Sequence, residues 1–266
     1  MNAPLPAPSL VEDLVAANHI LVDEGVLDAF GHVSVRHPRD PKRYLLSRSR
    51  APELVAPDDV LEYDLNSNVL TPTNEKLYAE RVIHGEIYKA RPDVMAVVHH
   101  HAPAMMPFCI TGTPLVPVFH LGATAGASVP FWDQYEEFGD TNLLVVKPEE
   151  GASLARTLGK NNLVLMNRHG ATAAAADVQG LVFRTIYSCK NAEFQFQALT
   201  LGKISPLHQG EIEKAGALNA MANVTTRTWE YWTMRLEKSG NGLPSIRNKK
   251  PKAKAKKTGK TKRRRR

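Results

Sequence analysis

Hydrophobic and polar residues recur along this chain with two periods, which predict its helices and strands. Apolar residues three or four positions apart predict amphipathic helices, whereas alternation or short apolar runs between turn residues predict strands. The predicted helices are residues 9–27 with Ser9 as N-cap, 75–90 before Arg91-Pro92, 177–201 before Gly202, and one around 226–238. The predicted strands are residues 32–37, 43–47, 59–65 and 94–101, followed by two short strands in 162–176 that turn at Gly170.

These elements predict one layered α/β domain, because helices and strands alternate without a strict βαβ rhythm. A chain of 266 residues that is 43% hydrophobic can bury a sizeable core. We assign this domain to residues 1–247. The remaining residues, 248–266, form a separate basic tail.

The net charge of +7 comes from that tail. Twelve of the 34 Lys and Arg residues lie in residues 249–266, so 22 basic residues remain against 27 acidic ones and the rest of the chain carries −5. Such a polycation lacks the apolar residues needed to order it, and we predict that it is disordered. It can contact nucleic acid or anionic lipid non-specifically. The alternative is a solubilising tail with no specific partner.

The N-terminal residues and the cysteines indicate a cytoplasmic protein. The first residues lack the basic start and apolar core of a secretory signal. Cys109 and Cys189 are the only cysteines and do not form a CxxC pair, which suits a reducing compartment and excludes a thiolate metal site. The longest stretch without Asp, Glu, Lys or Arg contains histidines and prolines, so we predict protein interior there and no membrane span.

Three consecutive histidines at the end of an apolar strand, in AVVHHHAPA, are the first candidate for chemistry. Side chains alternate between the faces of a strand, so His99 and His101 share a face and His100 points away. An H-x-H pair held by a strand can give two imidazoles to one metal ion. The alternative is that these histidines cap a buried strand and bind nothing.

Two further features favour a metal centre. Glu80 and His84 lie four residues apart on one face of the predicted helix 75–90, and a buried carboxylate there needs a partner such as Arg81 or Arg91, or a shifted pKa. His169 ends an apolar strand beside Gly170. Three histidines without cysteine suit a catalytic divalent metal with an open coordination position, namely Zn, Mn, Co or Fe.

These motifs resemble the class II aldolase/adducin family over roughly Leu10 to Leu207. The resemblance rests on GHVSVR, on the segment from Glu80 through ARPDVMAVVHHH, and on LMNRHG, in that order and spacing. It implies a three-layer α/β/α sandwich, usually a homotetramer with active sites between subunits. It also implies His99, His101 and His169 as metal ligands and Glu80 as the catalytic acid or base.

The chain departs from the family's sugar-phosphate aldolases where they hold phosphate. His32 stands in place of an asparagine, and Tyr78 with Ala79 replaces a pair of serines. The segment LLSRSRAPE replaces a Thr-Gly turn and supplies four candidate substrate-binding residues in addition to His32: Ser47, Arg48, Ser49 and Arg50. Arginine pairs with planar carboxylates through two nitrogens, although either arginine alone can be a solvated surface residue.

A further departure is His120, which falls where the aldolases place a tyrosine that serves the neighbouring subunit's site. Histidine there can still transfer a proton, so His120 is a second catalytic candidate. Together the departures resemble the family's decarboxylase branch, which includes hydroxy-methylpyridine-dicarboxylate and dihydroxyphthalate decarboxylases. We therefore predict a metal-dependent carbon–carbon lyase that decarboxylates a hydroxylated aromatic or heteroaromatic acid. The alternatives are an aldolase acting on a sugar or sugar acid and an adducin-like binding module without catalysis.

Overall fold

A computed structural model describes residues 8–239, with side chains from residue 10 onward. The predicted tail at 248–266 lies outside the described residues, and the boundary at 247 stays a prediction. The strands are β1 His32–Arg36, β2 Arg43–Ser47, β3 Val60–Asp64, β4 Ala96–His100, β5 Phe131–Trp132, β6 Leu163–Met166 and β7 Gly170–Ala175. The α-helices are α1 Pro8–Asp23, α2 Arg81–Ala90, α3 Met106–Thr111, α4 Gln134–Phe138, α5 Pro148–Leu158, α6 Val178–Leu201, α7 Gln209–Asn219 and α8 Ala222–Lys238.

The seven strands form one sheet in the order β3-β2-β1-β4-β7-β6-β5. All neighbouring strands are antiparallel except β5 and β6, which run parallel. Strand β4 lies at the centre, between β1 and β7, and its register places His99 opposite His32 on one side and Thr172 on the other. The histidine-bearing end of β4 is therefore enclosed by neighbouring strands.

Helices cover both faces of the sheet, which gives the predicted α/β/α layers. On one face, Val33, Val98 and Leu165 pack with residues of α1, α3, α6 and α8. On the other face, Val97 and Val164 pack with α2 and α5. Because side chains alternate along each strand, both faces of the sheet are apolar and both are covered.

Several predicted boundaries differ from the observed ones. Helix α1 ends at Asp23 and already includes Ser9, so Ser9 is not its N-cap. Helix α2 begins at Arg81, because residues 75–80 are not helical, and Glu80 is its N-cap residue. Glu80 and His84 are therefore not two residues inside one helix, although the N-cap position still directs Glu80 toward the sheet. The pattern also failed to predict four helices: α3, α4, α5 and α7.

The turn between β6 and β7 uses its residues differently from the prediction. The positive φ, 56°, belongs to Arg168, whereas Gly170 is the first residue of β7 and pairs with Met166. Glycine is required at 170 for another reason. A Cβ there would lie 2.4 Å from the carbonyl oxygen of His100 and 2.9 Å from the ring of His101. Gly170 thus lets His169 approach the end of β4 closely.

None of the described helices is long and apolar enough to span a membrane. The cytoplasmic location stays a prediction. Cys109 and Cys189 are both buried and free of disulfides.

Candidate active site and metal centre

The end of β4 directs two histidines to the same side of the sheet. His99 is fully buried on the face covered by α2 and α5, and its Nε2 lies 3.0 Å from Nε2 of His101. The Nδ1 atom of His99 lies 3.2 Å from the hydroxyl of Thr172 on β7, which fixes the orientation of the ring. His100 points to the opposite face, and its Nδ1 accepts a hydrogen bond from the backbone of Ala102.

His169 and Glu80 complete the cluster from two other elements. His169 follows β6, and its Nε2 lies 3.4 Å from Oε1 of Glu80. Oε2 of Glu80 lies 3.8 Å from Nε2 of His99. Each of Glu80, His99, His101 and His169 offers one ligand atom, and these four atoms all lie within 4.8 Å of one another. The structure thus brings together all three predicted metal ligands and the predicted catalytic glutamate.

This donor set fits a divalent metal ion. Ligand atoms of a tetrahedral zinc ion, bound at about 2.0–2.1 Å, lie roughly 3.3 Å apart, and the 3.0, 3.4 and 3.8 Å separations bracket that spacing. Nitrogen and carboxylate donors suit zinc, manganese, cobalt and iron alike.

The electrostatics of the cluster keep its imidazoles neutral. Burial, followed by the charge of neighbouring imidazoles, holds the pKa of His99 well below its usual value. Burial together with His101 lowers the pKa of His169 to about 4, and burial also lowers the pKa of His101. A neutral imidazole keeps the lone pair that binds a metal. Burial, opposed by a backbone hydrogen bond from Val145, raises the pKa of Glu80 to about 7.

Within residues 8–239, Glu80 has no arginine partner. It is 8% exposed, and its Oε1 accepts a 2.9 Å hydrogen bond from the backbone N–H of Val145. Arg81 donates instead to the carbonyls of Ser67 and Tyr78, and Arg91 pairs with Asp93. A buried carboxylate that faces imidazoles and no cation is better placed for proton transfer than for structural ion pairing.

A cavity of about 260 Å³ opens beside the cluster. The candidate residues that line it are His32, Ser49, Arg50, Tyr78, Glu80 and His101. Phe30 and Leu144 add apolar surface to its wall. The cavity therefore combines a carboxylate and an imidazole of the cluster with one guanidinium and two aromatic rings, which suits a small, flat, anionic ligand.

The predicted substrate-binding segment divides into residues at the cavity and residues away from it. Ser49 and Arg50 line the cavity, whereas Ser47 and Arg48 do not. Both guanidinium groups bind the buried carboxylate of Asp59, at 2.6 Å for Arg48 and 2.7 Å for Arg50. Arg48 also pairs with Glu75. Arg50 thus keeps the better position for contact with a substrate.

Comparison with known proteins agrees with this geometry. Residues 12–196 match the Class II Aldolase and Adducin N-terminal domain. The chain belongs to this family. The membership that the three sequence motifs predict is confirmed.

Among curated relatives of this class II aldolase family member, the decarboxylase tropJ of Talaromyces stipitatus is 34% identical over 258 residues, covering 89% of the chain and 97% of the relative. The 3,4-dihydroxyphthalate decarboxylase of Arthrobacter keyseri is 26% identical over 250 residues, covering 88% and 96% respectively. These relatives support placement in the decarboxylase branch.

A solved structure with the same fold is the L-fuculose 1-phosphate aldolase of Glaciozyma antarctica PI12. It superimposes with a TM-score of 0.73 and 20% identity, covering 89% of this chain and 96% of the aldolase. The predicted α/β/α class II aldolase fold is confirmed.

His120 does not join the site within one subunit of this class II aldolase family member. It is exposed at the start of the 3-10 helix His120–Ala125, where its carbonyl accepts a hydrogen bond from Asn219. It does not line the cavity. A catalytic role for His120 therefore requires a second copy of the chain.

Sequence reasoning missed several residues that position the site. Thr172 lies on a predicted strand, and it could have been found by pairing that strand with β4, because the register places Thr172 opposite His99. Val145, whose N–H binds Glu80, could not have been found, because it lies in an irregular loop far away in the chain. The pattern predicts Asp59, which holds both arginines, in a strand, whereas it lies in the 3-10 helix Pro57–Asp59.

Proposed function

We propose that this protein is a metal-dependent carbon–carbon lyase that decarboxylates a hydroxylated aromatic or heteroaromatic acid. One observation carries the proposal: three neutral imidazoles and a carboxylate converge beside a small cavity that also contains Arg50 and His32. Relatives that cover most of the chain and carry decarboxylase names support the choice of reaction.

His99, His101 and His169 would hold the metal, which is zinc, manganese, cobalt or iron. When bound, such an ion supplies Lewis-acid stabilisation of negative charge on an oxygen next to the reacting carbon. The chain's own groups perform the remaining tasks. Arg50 binds a carboxylate of the substrate, and Phe30 and Leu144 give the cavity an apolar wall against which a ring can pack.

The reaction breaks the bond between a ring carbon and its carboxylate carbon, and carbon dioxide leaves. The electron pair of that bond stays on the ring carbon and is delocalised toward the adjacent oxygen. Glu80 then delivers a proton to the ring carbon, which completes the exchange of carboxylate for hydrogen. Glu80 lines the cavity and is held by Val145, so its carboxyl group is positioned for this transfer.

The alternative is an aldolase acting on a sugar or sugar-acid derivative. It uses the same cluster, because aldol cleavage also leaves an electron pair on a carbon beside a carbonyl oxygen. The residues that line the cavity favour the decarboxylase. His32, Tyr78 and Arg50 line it at the positions where the sugar-phosphate aldolases that this sequence resembles use small residues to hold phosphate.

The test is a parallel assay of zinc- and manganese-loaded protein. Release of carbon dioxide is measured from 3,4-dihydroxyphthalate and other ortho-hydroxy aromatic acids, beside cleavage of fuculose 1-phosphate and unphosphorylated sugar acids. We expect turnover of an aromatic acid only. Turnover of a sugar substrate alone would replace the proposal with the aldolase alternative.

We further propose a homotetramer in which His120 of one subunit completes the site of its neighbour. His120 is exposed and does not line the cavity of its own subunit, and both observations support this arrangement. Co-expression of Glu80→Gln and His120→Ala subunits tests it, because mixed tetramers contain some sites with both native residues. Activity above that of either variant alone is expected, and light scattering should give the mass of four chains. No recovery in verified mixed tetramers would exclude shared sites.

A further inference from the structure

Four polar side chains form a buried row between β1 and α2. His32 and Ser34 are two residues apart on β1 and face α2, while His84 and Tyr88 are four residues apart on α2 and face β1. None of the four is more than 3% exposed. The two periodicities of strand and helix bring these side chains into register.

Short hydrogen bonds connect the row from end to end. Nδ1 of His32 lies 2.6 Å from Nε2 of His84, and Nδ1 of His84 lies 2.6 Å from the hydroxyl of Ser34. The Ser34 hydroxyl lies 2.8 Å from the phenol oxygen of Tyr88. The row thus begins deep in the protein at Tyr88 and ends at His32, which lines the cavity beside Glu80.

Each contact in the row is 2.6–2.8 Å long, so one proton lies in each. Burial lowers the pKa of His84 to about 3 and raises the pKa of Tyr88, so both side chains are uncharged at neutral pH. In a row of neutral groups each hydrogen bond has one donor and one acceptor, so the direction of one bond determines the direction of the next.

The phenol of Tyr88 sets that direction. A buried hydroxyl proton needs an acceptor, and within the described residues the Ser34 oxygen is the one it reaches. Ser34 must then donate to Nδ1 of His84, and His84 must donate from Nε2 to Nδ1 of His32. The proton of His32 is left on Nε2. In the opposite direction, the Tyr88 proton would have no acceptor in the described part of the chain, which is costly at a fully buried site.

We propose that Tyr88, Ser34 and His84 are positioning residues that hold His32 with its proton on Nε2, so that His32 donates a hydrogen bond to an oxyanion of the acid substrate. The choice of substrate rests on the proposed function. Nε2 of His32 makes no hydrogen bond to the described part of the protein, and it belongs to a residue of the cavity wall. An N–H there binds a carboxylate or phenolate oxygen and, having no lone pair, cannot bind a cation.

Neutron diffraction tests the proton positions directly. Crystals of the zinc-loaded full chain are exchanged into D₂O, and deuterium is expected on Nε2 of both His32 and His84 and on the Tyr88 oxygen, directed at Ser34. Deuterium on Nδ1 of His32 would overturn the proposal. The result does not depend on any substrate, so failure of the proposed decarboxylation and failure of this inference can be distinguished.

Two substitutions at one position separate hydrogen bonding from packing. His84→Gln keeps an amide N–H that can donate to His32, whereas His84→Leu fills similar volume without a donor. We expect His84→Leu to lower kcat/KM for 3,4-dihydroxyphthalate roughly tenfold, mainly through KM, while His84→Gln stays within about threefold of the native protein. If the native protein only binds this acid, calorimetric Kd values replace the kinetic constants. Equal losses in both variants, or no loss in His84→Leu, would contradict a positioning role.

Tyr44→Phe is the matched control for loss of a buried hydroxyl. Tyr44 is fully buried and its ring lies 5.4 Å from that of Tyr88, but its hydroxyl donates to Ser67 and to the carbonyl of Arg81. We expect a lower Tm with kcat/KM within about twofold of native. If kcat/KM instead follows Tm across Tyr44→Phe and both His84 variants, the row serves stability alone and the proposal is wrong.

Discussion

Two regions border the cavity: the histidine cluster of Glu80, His99, His101 and His169, and the arginine loop of residues 47–50. Their polar side chains find partners in opposite ways. Arg48 and Arg50 bind Asp59, so the charges of the loop are largely neutralised within the protein. In the cluster, His99, His101 and His169 turn their nitrogens toward one another and toward Glu80, and no lysine or arginine of the described residues pairs with that carboxylate. Buried titratable side chains that converge without a cation to pair with them indicate a site for a bound ligand. Side chains that already form ion pairs indicate a role in stabilising the fold.

The largest expected effect is loss of a metal ligand. His169→Ala should deplete bound metal and lower turnover at least roughly 10³-fold, because the Lewis acid is lost with its ligand. His100→Ala is the matched control: its ring points to the opposite face, so the variant should lose stability and keep its metal. Metal content by plasma mass spectrometry measures both. Metal loss in His100→Ala with retention in His169→Ala would refute the assignment of the cluster.

A smaller loss is expected from Glu80→Gln, which keeps the shape of the side chain and removes its acidity. Turnover should fall roughly 10²-fold, as for loss of a general acid, while the metal content and Tm stay close to native. Steady-state rates combined with metal analysis distinguish this from loss of the metal. Full activity in the variant would remove Glu80 from the mechanism.

The cluster was largely predictable because its ligands follow local rules. Alternation along one strand places His99 and His101 together, and an apolar run before a glycine places His169 at a strand end. The position of Glu80 was predicted less well. Its segment carries a helical pattern, but the chain becomes helical only at Arg81, and the contact that holds the carboxylate comes from a distant loop.

The arginine loop could not be predicted in the same way. Whether a guanidinium reaches a substrate depends on which carboxylates lie near it. Asp59, at the end of the 3-10 helix Pro57–Asp59, pairs with both Arg48 and Arg50. The row from Tyr88 to His32 was also missed, since it requires two elements of different period to be packed in register. Local pattern determines which residues share a face, and tertiary packing determines what they meet.

Asp59→Asn tests the arginine side of the comparison through stability. Burial raises the pKa of Asp59, but hydrogen bonds from Arg48 and Ala56 and the charges of both arginines outweigh it and leave the pKa below its usual value. The ionised carboxylate therefore stabilises the fold above the unfolded-state pKa of about 3.9, and this contribution disappears as the pH falls through the folded pKa. We expect the native protein to exceed the variant by about 2 kcal/mol at pH 7 and by less at pH 3. Urea unfolding at both values measures the difference, and an advantage that grows on acidification would contradict the pairing.

The smallest expected effect separates the two arginines, which differ in position while sharing Asp59. Arg50 lines the cavity and has one terminal nitrogen on Asp59, so its other nitrogens remain for a substrate carboxylate. Arg48 is divided between Asp59 and Glu75 and does not line the cavity. Loss of one charge-assisted contact should raise KM for an aromatic dicarboxylic acid roughly tenfold in Arg50→Ala, whereas Arg48→Ala should stay within about twofold and lose stability instead. Comparison of KM and Tm for the two variants decides the assignment. Native KM values in both variants would show that neither guanidinium binds the acid, and the substrate would then be held by the cluster and His32 alone.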